Sequence, residues 1–139
     1  MNIKEQVCSL KLAMKLEELE ENQQSHWYWC ECNNADFGEI GEWLLIQHYS
    51  INWNEYAAFT VAELGERMPF PISYQGKRCF ISSERTKSDD GDEWECGIFT
   101  LHKGTPLKYV FADTEANARA KMLIWLIENG FIFGNDDSP

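Results

Sequence analysis

Residues 114–130 constrain the fold of this chain more than any other stretch. Ala116, Ala120, Leu123, Ile124 and Ile127 recur at i, i+4, i+7, i+8 and i+11, the spacing of one helix face. Asp113 or Thr114 supplies the N-cap, and Glu115 puts an anion in the first turn, where the helix dipole favours it. Gly130 stands where a helix leaves through the left-handed region. A second stripe, Ala118, Met122 and Trp125, repeats at the same period on an adjacent face. The apolar arc is therefore wider than one sheet contact needs. Ala120, Leu123, Ile124 and Ile127 are expected on a sheet. Met122 and Trp125 either join the core or give a homodimer its interface.

The rest of the chain reads around that helix. Leu12, Leu16 and Leu19 mark a helix over 9–21 with Ser9 as N-cap. Glu17, Glu18, Glu20 and Glu21 crowd its last turns, the unfavourable end for anions. Residues 26–32 and 42–49 read as two strands of a hairpin with a long loop, and 50–58 as an irregular segment. Thr60 and Glu63 form a capping box opening a helix over 60–68, which Pro69 and Pro71 end. Gln75-Gly76 is a turn signal ahead of a strand at 79–84, and the acidic run at 89–92 and residues 103–106 are turn signals that separate it from strands at 94–101 and 107–111. The order α-β-β-α-β-β-β-α predicts a single α+β domain. Three helices, at 9–21, 60–68 and 114–129, pack on one face of an antiparallel sheet of four or five strands. Residues 131–133 are expected to fold back on the core, ahead of a short acidic tail at 135–139.

With 139 residues there is material for one core. Twelve Lys and Arg against 23 Asp and Glu give a net charge of −11. That balance argues against a nucleic-acid partner and against an anionic membrane surface, both of which need clustered cations. No stretch is apolar enough for a transmembrane helix, and the N-terminus lacks a signal-peptide core, so a cytoplasmic location is expected. Five cysteines, an odd number, read as reduced thiols.

Three segments carry a resemblance. They are residues 8–19 with Gln23-Gln24-Ser25 and Trp27-Tyr28-Trp29; residues 58–66 with Met68-Pro69; and residues 114–130, TEANARAKMLIWLIENG. Together they cover a third to a half of the chain. They resemble a group of small, uncharacterised proteins encoded by bacteria and their phages or prophages. The resemblance implies one compact fold and a mobile-element origin, and it brings no activity. The chain departs from the group's pattern at Glu20, where a glycine is usual after the first helix.

Candidate chemistry is sparse. Cys30 and Cys32 with His26 offer soft ligands, but the spacing does not suit a zinc knuckle, and His26 in an extended strand lies about 13 Å from Cys30. Buried thiols are the plainer reading, and no metal or cofactor is expected. No local signature marks a Cys–His nucleophile pair drawn from the five cysteines and His26, His48 and His102, so no catalytic residue is assigned. Gly38-Glu39-Ile40-Gly41 lacks the third glycine and the preceding strand of a dinucleotide loop. Partner-binding candidates are the aromatics Trp53 and Tyr56 and the acids Asp89, Asp90, Asp92 and Glu93. The leading expectation is a non-enzymatic protein that binds a protein partner. The alternatives are an acidic nucleic-acid mimic that inhibits a host protein, and a small hydrolase with a Cys or carboxylate site.

Overall fold

The computed structural model describes residues 2–47, 54–86, 93–101 and 104–131. Its elements run α1 (Ile3–Gln6), α2 (Leu10–Glu18), β1 (Tyr28–Glu31), β2 (Trp43–Ile46), β3 (Glu55–Ala57), α3 (Val61–Glu66), β4 (Ile72–Tyr74), β5 (Lys77–Arg85), β6 (Trp94–Thr100), β7 (Lys108–Ala112) and α4 (Glu115–Glu128). The α+β class holds. The sheet does not: the strands form two antiparallel sheets, β2-β1-β3 and β4-β5-β6-β7, in place of one sheet of four or five.

Short strands account for the difference. β3 lies in the segment read as irregular, and three residues are too few to show a period of two. It pairs with β1 through Tyr28↔Ala57 and Trp29↔Tyr56, so β1 gains partners on both sides and its hairpin becomes a separate sheet. β4 is equally short. It is joined to β5 by Gln75-Gly76, both at positive φ (53° and 74°), the backbone of a two-residue type I′ hairpin.

The wide apolar arc of α4 now has its explanation. Ala116, Ala120, Leu123 and Ile124 pack into one cluster with Cys8, Leu16, Ala57, Phe59 and Leu64. Ala118, Met122 and Leu126 pack into another with Ile72, Cys79, Cys96, Ile98 and Ala112 of the larger sheet. One helix thus serves two cores, and its small residues let neighbours approach from both sides. The four residues expected on a single sheet, with Ile127 half-buried, instead face α2, α3 and β3. Met122 is fully buried in the second cluster and is not available to a second copy of the chain. Trp125 stacks on Phe131 at 5.4 Å between ring centres and meets Tyr74 edge-on. Phe131 therefore folds back as expected; residues 132 and 133 lie outside the described residues.

The helix ends obey local rules. Ser9, Thr60 and Thr114 each accept from a backbone N–H three residues on. α4 ends in a Schellman turn: the Phe131 N–H donates to the Leu126 carbonyl at 2.9 Å, with Gly130 at φ 78°. α2 ends the same way, with the Glu21 N–H on the Leu16 carbonyl at 3.0 Å, but Glu20 occupies the left-handed position at φ 65°. The usual stop is thus formed without its glycine, at a steric cost set by the Cβ. Glu20→Gly is expected to raise stability by about 0.5 kcal/mol, after the larger unfolded-state entropy of glycine is subtracted. Urea denaturation checks this, and a loss of stability would contradict it.

α3 holds the connection between α2 and β1. Its capping-box carboxylate, Glu63, accepts from the Thr60 N–H at 2.9 Å, the Ser25 hydroxyl at 2.8 Å and the His26 N–H at 3.1 Å. Its C-cap, Arg67, donates to Glu21 Oε1 at 3.0 Å and to the Gln24 carbonyl at 2.9 Å. The guanidinium also lies 4.1 Å from the centre of the Phe59 ring. The connection from α2 into β1 is therefore strapped to α3 from both ends of that helix.

Candidate functional site

The larger sheet presents two faces. Residues whose side chains alternate with Cys79, Cys96 and Ile98 point away from α4. That outer face is ordered by strand register. Phe80 stands opposite Phe99, and Ser82 opposite Gly97, which pairs on with Tyr109. Glu84 stands opposite Glu95, which pairs on with Phe111. A Cβ at Gly97 would press on the Phe99 ring and the Pro106 Cβ, at 3.1 and 3.0 Å, so these neighbours would have to yield. Phe99 is covered in this way, while Tyr109 and Phe111, in edge contact at 5.2 Å, are 49% and 38% exposed.

Two carboxylates thus meet across strands beside an exposed aromatic. Partial burial, reinforced by the charge of Glu84, pushes the Glu95 carboxyl above its ordinary value. A raised pKa means that the folded protein holds this proton more tightly than the unfolded chain, so stability falls as pH rises past the ordinary 4.5. Glu95→Gln is expected to stabilise by about 0.5 kcal/mol at neutral pH, the scale of a cross-strand like-charge pair, and to lose this gain below the carboxylate range. Denaturation at neutral and acid pH measures both.

On the other side of the same sheet end, a cleft of about 330 Å³ is lined by Glu5, Glu93, Asp113 and Glu115, with Arg85 and Trp94. α1, the start of β6 and the start of α4 bring these acids together from three parts of the chain, and the end of β5 adds Arg85. Arg85 pairs with Glu93 at 3.4 Å, both exposed, a contact of little energy. The hairpin segment that carries Asp89, Asp90 and Asp92 in the sequence joins β5 to β6 at this end. These three residues, with Trp53, His48 and His102, lie outside the described residues.

Of the other residues singled out in the sequence, Glu93 sits in the acidic cleft. Tyr56 does not: it is on β3 in the smaller sheet, half-buried, with its ring 5.7 Å from that of Trp43. It packs on the core edge. Met122 is core, and Trp125 is largely enclosed by Tyr74, Phe131 and Lys108, whose ammonium lies 5.0 Å from the indole.

A second polar cluster went unread in the sequence. Ser83 donates a short hydrogen bond to Glu115 and accepts one from Arg119 Nε at 3.0 Å, and Arg119 also pairs with Glu115 at 3.2 Å. The cluster borders a small cleft of about 180 Å³ with Cys96 and Pro69 on its walls. Gly65 makes room for the guanidinium, which a Cβ there would strike. The alternation of β5 hides Ser83 among ordinary strand residues, and its partners lie 32 and 36 positions away. The hydroxyl is held between a cation and an anion, a geometry that satisfies all three groups.

All five cysteines are buried. Burial pushes the thiols of Cys8 and Cys96 up to about 12, so neither forms the thiolate that a nucleophile requires. Among the described residues no three His, Cys, Asp or Glu side chains converge as a metal set, and no helix is long and apolar enough to cross a membrane. No protein-family model matches the chain, and no curated protein or solved structure matches it.

Proposed function

We propose that this protein acts by binding a basic protein partner at the acidic end of its larger sheet, and that it catalyses no reaction. The observation that supports this is the meeting of Glu84 and Glu95 beside exposed Phe111 and Tyr109 on one face. Glu5, Glu93 and Asp113 line a cleft at the same end. Arginine side chains suit such a surface, because a guanidinium pairs with carboxylates and stacks on aromatic rings. The net charge of −11 would steer a cationic partner to it, giving fast, salt-dependent association. A phage or prophage origin, which the sequence resemblance implies, belongs to the same proposal, as does a cytoplasmic setting.

A nucleic-acid mimic is the narrower form of this reading, with the partner's cationic groove as the contact. It draws on the same carboxylates. The hydrolase alternative is weaker, since the polar groups around Ser83 satisfy one another and the Cys8 and Cys96 thiols are protonated.

The test starts with affinity capture from a bacterial lysate by wild type and by Tyr109→Ser/Phe111→Ser. Association of the captured protein is then measured at low and physiological salt. A partner lost by the aromatic variant, with a rate that falls steeply with salt and falls again in Asp89→Asn/Asp90→Asn/Asp92→Asn, is the expected result. Equal capture by both proteins, or a rate indifferent to salt and to the triple change, would overturn the proposal.

A further inference from the structure

A groove of about 550 Å³ runs along the seam of α2 and α4, far from the acidic sheet end in character. Its walls are apolar: Leu10, Leu12 and Met14 from α2 and Ile124 from α4, with Met14 42% exposed. Its rim reverses the charge of the molecule. Across the chain acids outnumber bases 23 to 12, yet this groove is bordered by Lys11, Lys15 and Lys121 and one acid, Glu18.

The lysines are lightly held. Lys15 reaches Glu18 at 3.7 Å and Glu128 at 3.5 Å, long contacts between partly exposed groups. Lys121 donates to the Phe111 carbonyl at 2.8 Å, and Lys11 is exposed. Exchanging such partners for an incoming carboxylate costs little.

Spacing identifies the occupant. Leu10 and Met14 are four residues apart on α2, and so are Lys11 and Lys15, so the apolar row and the cationic row run side by side with one repeat. Four residues of helix rise about 6 Å, which is also the separation of carboxylates at i and i+4 on another helix. An amphipathic helix lays just such an apolar stripe into a groove between two helices. We propose that the α2–α4 groove docks an acidic amphipathic helix of a partner protein, its apolar stripe against Leu10, Met14 and Ile124 and its carboxylates on Lys11 and Lys15. The site prefers the charge opposite to that favoured by the acidic sheet end.

The test uses two synthetic helical peptides with the same leucine stripe, one flanked by glutamates and one by lysines, titrated into the full-length protein. Fluorescence anisotropy reports affinity, and the Met14 methyl resonance reports the place. The glutamate peptide is expected to bind at least about tenfold more tightly and to shift the Met14 methyl, despite the net charge that repels it. Lys11→Glu/Lys15→Glu, at surface positions, should reverse the preference. Met14→Glu should abolish binding of the glutamate peptide. Circular dichroism confirms that both variants fold. A lysine peptide that binds as tightly as the glutamate peptide, an unmoved Met14 methyl, or no binding at about millimolar peptide would each overturn the proposal. So would a dimer in sedimentation that Met14→Glu dissociates, because it would give the groove to a second copy of the chain.

Discussion

Truncation of Leu123 to alanine is expected to cost about 3 kcal/mol, and truncation of Leu126 about as much, although the two side chains leave α4 in different directions. Both are fully buried. Leu123 fills the cluster with Leu16, Phe59 and Leu64, whereas Leu126 fills the one with Ile72, Cys96 and Ile98. Each change removes most of a leucine's transfer energy and leaves a cavity that the strands or helices around it close only in part. In a chain of this size that lowers the melting temperature by roughly 10 °C. Ile127→Ala, at a half-buried position, should cost about 1 kcal/mol. Equal losses at 123 and 126 are the signature of a helix between two cores. A loss below about 0.5 kcal/mol for Leu126→Ala would mean that its face is open to solvent. Met122→Ala should also lose stability by an amount independent of protein concentration. A concentration-dependent loss would mark a dimer interface instead.

Arg67→Ala is expected to cost about 3 kcal/mol, more than an arginine on a surface helix commonly contributes. The guanidinium joins Glu21, the Asn22 and Gln24 carbonyls and the Phe59 ring, so its removal frees the chain between α2 and β1. It also strands Glu21, whose side chain is only 10% exposed. Burial already pushes the Glu21 carboxyl above its usual value, with Arg67 opposing that push. The sign of the pH dependence follows. A raised pKa makes ionisation of Glu21 cost stability as pH rises past 4.5, and loss of Arg67 raises that cost. The gap between wild type and Arg67→Ala should therefore be widest at neutral pH and narrow on acidification. Arg67→Ala/Glu21→Gln should recover part of the loss at neutral pH. Urea melts across this pH range decide the matter. A gap constant with pH would show that the carboxylate is solvated and that only packing was lost.

Interactions that run a few residues along the chain were legible without the tertiary structure. Ser9, Thr60 and Thr114 cap because their hydroxyls reach amides three positions ahead. Gln75-Gly76 turns because both residues take positive φ, and Gly130 ends α4 for the same reason. The strands β5, β6 and β7, set off by turn signals, and the period of α4, which repeats several times in one element, were equally visible. Three-residue β3 repeats nothing, so it was read as irregular. Its existence depends on β1 having a free edge at Trp29.

The candidate site was less legible. Glu93 was singled out by its place in an acidic run, but Glu5, Asp113 and Glu115, which line the cleft with it, belong to other parts of the chain. Glu84 and Glu95 are ordinary strand residues until register sets them opposite each other. Tyr56 lies in a stretch read as irregular, and it is the pairing of β3 with β1 that sets its ring at the core edge. Arg67 and Ser83 carried no local signal at all.

By itself the sequence determined the α+β class, the caps, the hairpin turns and the two stripes of α4, because these follow from backbone geometry and side-chain period within a few residues. Only the tertiary structure decided that the strands divide into two sheets, that both stripes of α4 are covered, and which acids stand together. Those outcomes depend on contacts between distant segments, in which an apolar face or a carboxylate acquires its environment from residues tens of positions away.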